Sequence, residues 1–452
     1  MQTNRLGIIV GGGPAPGINA VIGAATIEAS NRGFEVIGFY DGFRWLASDD
    51  FHRNLHTVAL ESAKVARIHF EGGSILRTSR TSLIDEERRK THRLVAPDPR
   101  KVADVLRNLH ALGITHLMTI GGDDTALSAR FICDSVDNGL RLVHVPKTID
   151  NDLPLPQDAS TFGFPTARHV GTELVKNLMR DSQTTGRWYI IETMGRRAGW
   201  LAQAIGLAAG ATLTLIPEEF EKKTKLQNIV DVVEGAMLKR RVLGRPDGVA
   251  ILAEGLVYRL GDVDELAQLL GHEVPVDAAG HPRLADVDLA RLVKTELERR
   301  FAERGQKVTL VDHELGYELR CADPTPRDMQ YCRMLGYFAV QLLLQEDVRS
   351  GAMVTIVNGN VHPIDLHDLI DPETNRIAIR TVDIRSDTYR VARAYMIRLE
   401  RSDLEDPIML SRLAAEARMT PKEFARRYAR AATCLADGLP NGSALQPAAS
   451  AP

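Results

Sequence analysis

Short apolar runs, closed off by glycine, proline or acidic residues, recur at residues 6–10, 34–40, 115–120, 142–145, 188–192 and 249–253. They are mostly apolar rather than alternating, which is the pattern of strands in a parallel sheet covered on both faces. Segments with helical spacing lie between and beyond them, at 18–29, an amphipathic 97–112, 126–131, 164–180, 200–209, 327–344 and most of 410–432. Residues 353–357 predict a last sheet strand. Alternation of this kind predicts an α/β fold. One stretch imitates a membrane span, because residues 198–217 carry no charge and are nearly long enough to cross a bilayer. That stretch is rich in glycine, alanine and threonine and changes character midway. A buried helix at 200–209 followed by a buried strand at 211–216 is the expectation, and no membrane.

Composition narrows the class. A chain of 452 residues has room for two or three domains or one elaborated α/β unit. Hydrophobic residues make up 44% and charged residues 25%, as in ordinary soluble proteins. Lys and Arg number 56 against 59 Asp and Glu, so no global basic field points to nucleic acid. Cys133, Cys321, Cys332 and Cys434 form no CxxC and have no metal-ligand spacing, which suits a reducing cytosol. The apolar run at the N-terminus is too short for a signal peptide.

The chemistry gathers in two stretches. Gly121-Gly122-Asp123-Asp124-Thr125 follows one predicted strand and runs into a helix, and Pro146-Lys147-Thr148-Ile149-Asp150-Asn151-Asp152 follows the next. In open α/β sheets ligands bind at that edge, and backbone N–H groups at a helix N-terminus suit phosphate. Asp123, Asp124, Asp150 and Asp152 would then crowd negative charge beside a phosphate site. Such a site repels phosphate unless Mg²⁺ intervenes, and Mg²⁺ is commonly bound by one or two carboxylates plus phosphate oxygens. These residues therefore point to Mg²⁺-assisted phosphoryl transfer. The glycine-rich loop at 11–20 is not the dinucleotide fingerprint, since Pro16 stands where GxGxxG needs glycine, and no Walker A motif occurs.

GGDDT with PKTIDND resembles the phosphofructokinase family, and within it the pyrophosphate-dependent branch. The resemblance covers residues 6 to about 359. It implies a fold of two Rossmann-like domains with largely parallel sheets and the active site in the cleft between them. It implies reversible transfer of a phosphoryl group from pyrophosphate to the 1-hydroxyl of fructose 6-phosphate, as in glycolysis and gluconeogenesis, with Mg²⁺ as cofactor. Asp150 is then the catalytic base, Lys147 a cation for the phosphoryl oxygens, and Thr148 and Asp152 orient the reacting groups. Asp123 is the metal ligand. Gly12, Arg80, Asp124, Thr125 and Lys147 face the donor. Arg187, Met194, Gly195, Arg196, Glu254, Tyr317 and Arg320 bind the sugar phosphate, Tyr317 and Arg320 from a strand-like segment at 315–320. Asp124 and Lys147 stand where the family's ATP users have glycine, so both favour the smaller donor. Arg77 also replaces a common glycine.

The same resemblance divides the chain. Residues 1–162 with about 320–375 form a donor domain, and 163–319 a sugar-phosphate domain with a helical insertion at about 261–304. A helical extension at 376–436 and a disordered tail at 437–452 follow. A cytoplasmic homo-oligomer, dimer or tetramer, is expected. The alternatives are an ATP-dependent 6-phosphofructokinase and a non-catalytic regulatory paralogue of the same fold.

Overall fold

Runs of buried aliphatic residues do become strands here. The structure, a computed structural model, describes residues 4–136, 139–156, 159–261, 267, 287–345 and 350–433, apart from the side chain of Lys90. Two compact units divide the chain: Met1–Gly171 with Gly316–Arg380, and Thr172–Leu315 with the described residues from Thr381 onward. In chain order the first contributes β1 (Arg5–Val10), β2 (Glu35–Phe39), β3 (Thr57–Leu60), β4 (His116–Gly121), β5 (Arg141–Thr148) and β6 (Phe162–Gly163). The second contributes β7 (Trp188–Thr193), β8 (Leu213–Leu215), β9 (Gly248–Ala253) and β10 (Leu310–Leu315). The chain then returns to the first for β11 (Ala352–Val357) and β12 (Asn360–Asp365).

The first sheet runs β12-β11-β5-β4-β1-β2-β3, with β6 attached to β5. It is parallel except at its two ends, where β12 and β3 run antiparallel to their neighbours. Leu6, Ile8, Ile9 and Val10 of β1 are all buried, which is why the strand reads as one apolar run. The second sheet, β10-β7-β9-β8, is parallel throughout. Its core joins Trp188, Ile190, Leu213 and Leu252 to helices Leu226–Val242 and Leu289–Glu303 and to Phe424 and Tyr428 near the C-terminus.

The α/β expectation holds, with local differences. The segment expected as a strand at 315–320 is not one. β10 stops at Leu315, Gly316 breaks the extended backbone at φ −161° and ψ −75°, and Tyr317–Arg320 is a turn of helix. The membrane-like stretch is helix Trp200–Ala209 followed by β8. Among the described residues no helix is long and apolar enough to cross a membrane. β12 escaped the hydrophobic pattern because it is a polar edge strand, NVHPID, with exposed residues and a proline. The tail at 437–452 and residues 262–266 and 268–286 of the insertion lie outside the described residues, while the insertion's later part forms helix Leu289–Glu303.

Candidate active site

The sequence motifs sit at the C-terminal ends of parallel strands, the edge where α/β sheets place ligands. In the first unit β1 opens into the loop at 11–17, β4 into helix Asp123–Asp134, and β5 into the turn at 149–152. Thr125 explains two of the glycines. A Cβ on Gly11 would lie 2.4 Å from its hydroxyl oxygen, and one on Gly121 only 2.3 Å. Neither position can carry a side chain while the buried Thr125 locks the two loops together. Gly12 has φ +81°, a left-handed conformation that glycine adopts freely. Its N–H donates to Ser79 O at 2.8 Å, and its carbonyl accepts from Thr78 Oγ1 at 2.5 Å.

Lys147 is almost fully buried at 4% exposure, and its ammonium donates to the carbonyl of Gly13. A Cβ on Gly12 would be 3.2 Å from Lys147 Nζ, and one on Gly13 would be 3.0 Å from the Arg320 guanidinium. Lysine and arginine thus converge on one glycine loop. Helix Asp123–Asp134 carries Asp123 and Asp124 in its first turn and has no side-chain cap at Gly122. Arg80 is exposed beside Ser79. Arg77 has φ +54°, the conformation glycine would favour, and its guanidinium lies 3.5 Å from Asp41. Tyr317 is exposed, with the Arg320 guanidinium 5.2 Å from its ring centre.

The turn after β5 buries Asp150, Asn151 and Asp152. Thr148 Oγ1 accepts from the Asp150 N–H at 3.0 Å, and Asn151 turns left-handed at φ +56°. Beneath this turn lies His144, buried on β5. Gly121 O can only accept, so His144 Nε2 donates to it at 3.1 Å, and Nδ1 accepts from Thr119 Oγ1 at 2.9 Å. Burial, with Lys147 nearby, lowers the imidazole pKa to about 3, so the ring is neutral and its tautomer is fixed. Asp328 plays a similar supporting part. It accepts from Gly163 N at 3.2 Å, Thr166 N at 2.9 Å and Thr166 Oγ1 at 2.5 Å, at the start of helix Phe164–Thr185. Burial raises its pKa against those bonds.

The second unit holds the other predicted group. Met194, Gly195 and Arg196 follow β7, and Glu254 follows β9. Glu254 Oε2 accepts from the N–H groups of Gly195 at 3.1 Å and Arg196 at 3.0 Å, which shapes that turn. Arg196 is left-handed at φ +47°, and its side chain is exposed. Arg187 lies 3.6 Å from Asp181. Tyr317 and Arg320, expected to bind the same sugar phosphate as these residues, belong to the first unit.

A family model described as phosphofructokinase matches residues 5–343. The chain belongs to the phosphofructokinase family. It is 51% identical to a pyrophosphate–fructose 6-phosphate 1-phosphotransferase of Thermotoga maritima, covering 94% of this chain and 98% of the relative. A protein of the same name from Naegleria fowleri is 43% identical, covering 94% of each. A crystal structure of phosphofructokinase from Pichia pastoris in the T-state matches with a TM-score of 0.62 at 21% identity. That match covers 95% of this chain and 39% of the Pichia chain, and it shows the fold alone. His144, Asp328, Glu192 and Arg380 were not singled out by the sequence. For Asp328 a signal existed, since an acidic residue follows a proline turn at the head of a helix. Arg380 lies past the stretch that the phosphofructokinase model matches.

Proposed function

We propose that this phosphofructokinase transfers a phosphoryl group from pyrophosphate to the 1-hydroxyl of fructose 6-phosphate, reversibly, giving fructose 1,6-bisphosphate and phosphate. The observation that carries the donor is Lys147, whose buried ammonium is packed against the Gly12–Gly13 loop. There it occupies space that a nucleotide's α-phosphate would need and offers a cation to pyrophosphate. Asp124, in the first turn of the adjoining helix, adds a carboxylate that disfavours a longer phosphate chain. The near full-length likeness to two pyrophosphate-dependent relatives supports the same donor.

In this reading the Asp150 carboxylate takes the proton of the sugar 1-hydroxyl as the new P–O bond forms. Lys147 stabilises charge on the phosphoryl oxygens, and Thr148 and Asp152 orient the reacting groups. Gly12, Arg80 and Thr125 complete the donor loops. Arg187, Arg196 and Arg320 hold the sugar phosphate, suited to it by their planar forks. Met194 and Gly195 shape that subsite, Tyr317 borders it, and Glu254 accepts from a sugar hydroxyl.

Asp123, in the first turn of helix Asp123–Asp134, is the residue that would hold Mg²⁺. Among the described residues no group of three or more His, Cys, Asp or Glu side chains could hold a metal ion by itself. An ion held by Asp123 would complete its shell with phosphate oxygens and water, as Mg²⁺ does. Bound there, it offsets negative charge on the donor. A cytoplasmic homo-oligomer belongs to the same reading.

Side-by-side assays test it. Fructose 6-phosphate turnover is expected to be high with pyrophosphate and little or none with ATP, and Asp124→Gly is expected to recover part of the ATP activity. Strong ATP-driven turnover by the unmodified protein, with pyrophosphate inert, overturns the donor assignment.

A further inference from the structure

We propose that Arg380 is a positioning residue for the reaction, holding the turn that presents Asp150 and Asp152. Its guanidinium donates four times to that turn and the loop after it: to Asn151 O at 3.1 and 3.3 Å, to Asn151 Oδ1 at 2.5 Å, and to Ala159 O at 2.8 Å. Its backbone N–H donates to Asp152 O at 2.8 Å. Every one of these bonds reaches the residue between the two aspartates, the second aspartate, or the loop that closes the turn. Asn151 is left-handed at φ +56°, a conformation asparagine takes more readily than other side-chain-bearing residues and one that the Arg380 bonds hold in place. Asn151 Oδ1 also accepts from Thr161 N at 3.1 Å, so the side chain is gripped from both sides.

Arg380 is itself rigidly delivered. The small hairpin Ile370–Asp371 and Arg376–Ile377 precedes it. Asn375 in its bend accepts from Arg130 at 2.7 Å and donates to Val95 O at 2.6 Å. Arg130 lies on helix Asp123–Asp134, and Leu366, Leu369 and Ile377 are buried in one cluster with Ala126 and Ala129 of that helix. One segment is therefore anchored on the helix that begins at Asp123 and ends as a clamp on the turn of Asp150. A five-donor planar fork suits such a task, since it can serve several carbonyls at fixed angles, and lysine cannot copy it fully.

This rests on Asp150 acting as the base. The test uses the full chain with Arg380→Met, Arg380→Lys and Arg380→Ala, assayed with whichever donor the unmodified protein uses. A wrong donor then shows in the unmodified protein, and a wrong role for Arg380 shows only in the variants. The expected result for Met and Ala is a kcat lower by roughly 10²-fold, the scale of a misplacement of about 1 Å. Both KM values should stay within about threefold. Lys should retain part of the activity, and added guanidinium ion should restore part of it to the Ala variant. Amide exchange at 150–152, which needs no turnover, should quicken in the Met variant. A kcat within about twofold of the unmodified protein, or unchanged exchange, overturns the proposal. So does a change confined to KM, or a loss that follows the unfolded fraction and that guanidinium does not relieve.

Discussion

Asp150 gains its standing from its neighbours more than from its own residue type. It is buried, its N–H is bonded to Thr148, and the next residue turns left-handed to bring Asp152 back to the same edge. Replacing it by serine keeps that N–H bond and removes the carboxylate. Asp150→Ser is expected to lower turnover by roughly 10²–10⁴-fold, the range for a positioned general base. Fructose 6-phosphate binding, followed by equilibrium titration, should change little. Near-normal turnover would make Asp150 a structural residue. At this scale the sequence was most legible where chemistry is written in contiguous residues, as in Gly121–Thr125 and Lys147–Asp152. It was silent on Arg380, whose bonds go to backbone carbonyls and one asparagine far away in the chain. It was silent on His144 too, which reads in sequence as one polar residue in an apolar strand.

At the scale of elements, the parallel strands could be read because burial on both faces leaves runs of aliphatic residues. Elements that hide no such face, β12 above all, could not. Glu192 shows a strand and a helix joined by one carboxyl group. It sits on β7, and its Oε2 accepts from Leu289 N at 2.8 Å and Ala290 N at 3.2 Å, the first residues of helix Leu289–Glu303. Asp288 caps the same end by accepting from Arg291 N at 2.9 Å. Burial first, then the neighbouring Asp288 and Glu254, push the Glu192 carboxyl up from 4.5 to about 7, against the pull of the two N–H bonds. The folded state therefore holds this proton more tightly than the unfolded chain. The stabilisation is complete below pH 4.5 and is lost as pH rises through about 7. Thermal melts across that window should show Glu192→Gln with a flatter pH dependence than the unmodified protein, since a glutamine carbonyl still accepts both bonds. Parallel curves would remove Glu192 from the titration.

At the scale of the whole molecule, each unit has its own means of cohesion. The second relies on a buried ion network. Arg300 reaches Asp231 and Glu234 at 2.6 Å each and Glu296 at 2.9 Å, while Arg304 and Arg427 lie 2.6 and 3.3 Å from Glu234. The network ties helices Leu226–Val242, Leu289–Glu303 and Pro421–Tyr428. Arg300→Met would take from the fully buried Glu234 one of its two closest cations, and from Asp231 and Glu296 the cation they share with it. A loss of about 3–5 kcal/mol in urea unfolding is expected, the usual result of breaking a buried pair on one side. A loss under about 1 kcal/mol would class the network with surface pairs. The first sheet is interrupted in sequence by the second, and that matters while the protein is being synthesised. β5, which carries Lys147 and Thr148, pairs with β11 through Val143 and Ala352, and the four described strands of the second sheet are translated between them. At ordinary elongation rates the outer edge of β5 waits on the order of ten seconds or more for its partner. An open strand edge in a nascent chain invites wrong pairing, so chaperones have their strongest claim on this interval. The second sheet, drawn wholly from residues 188–315, can close before that wait is over. The sheet begun first is closed last.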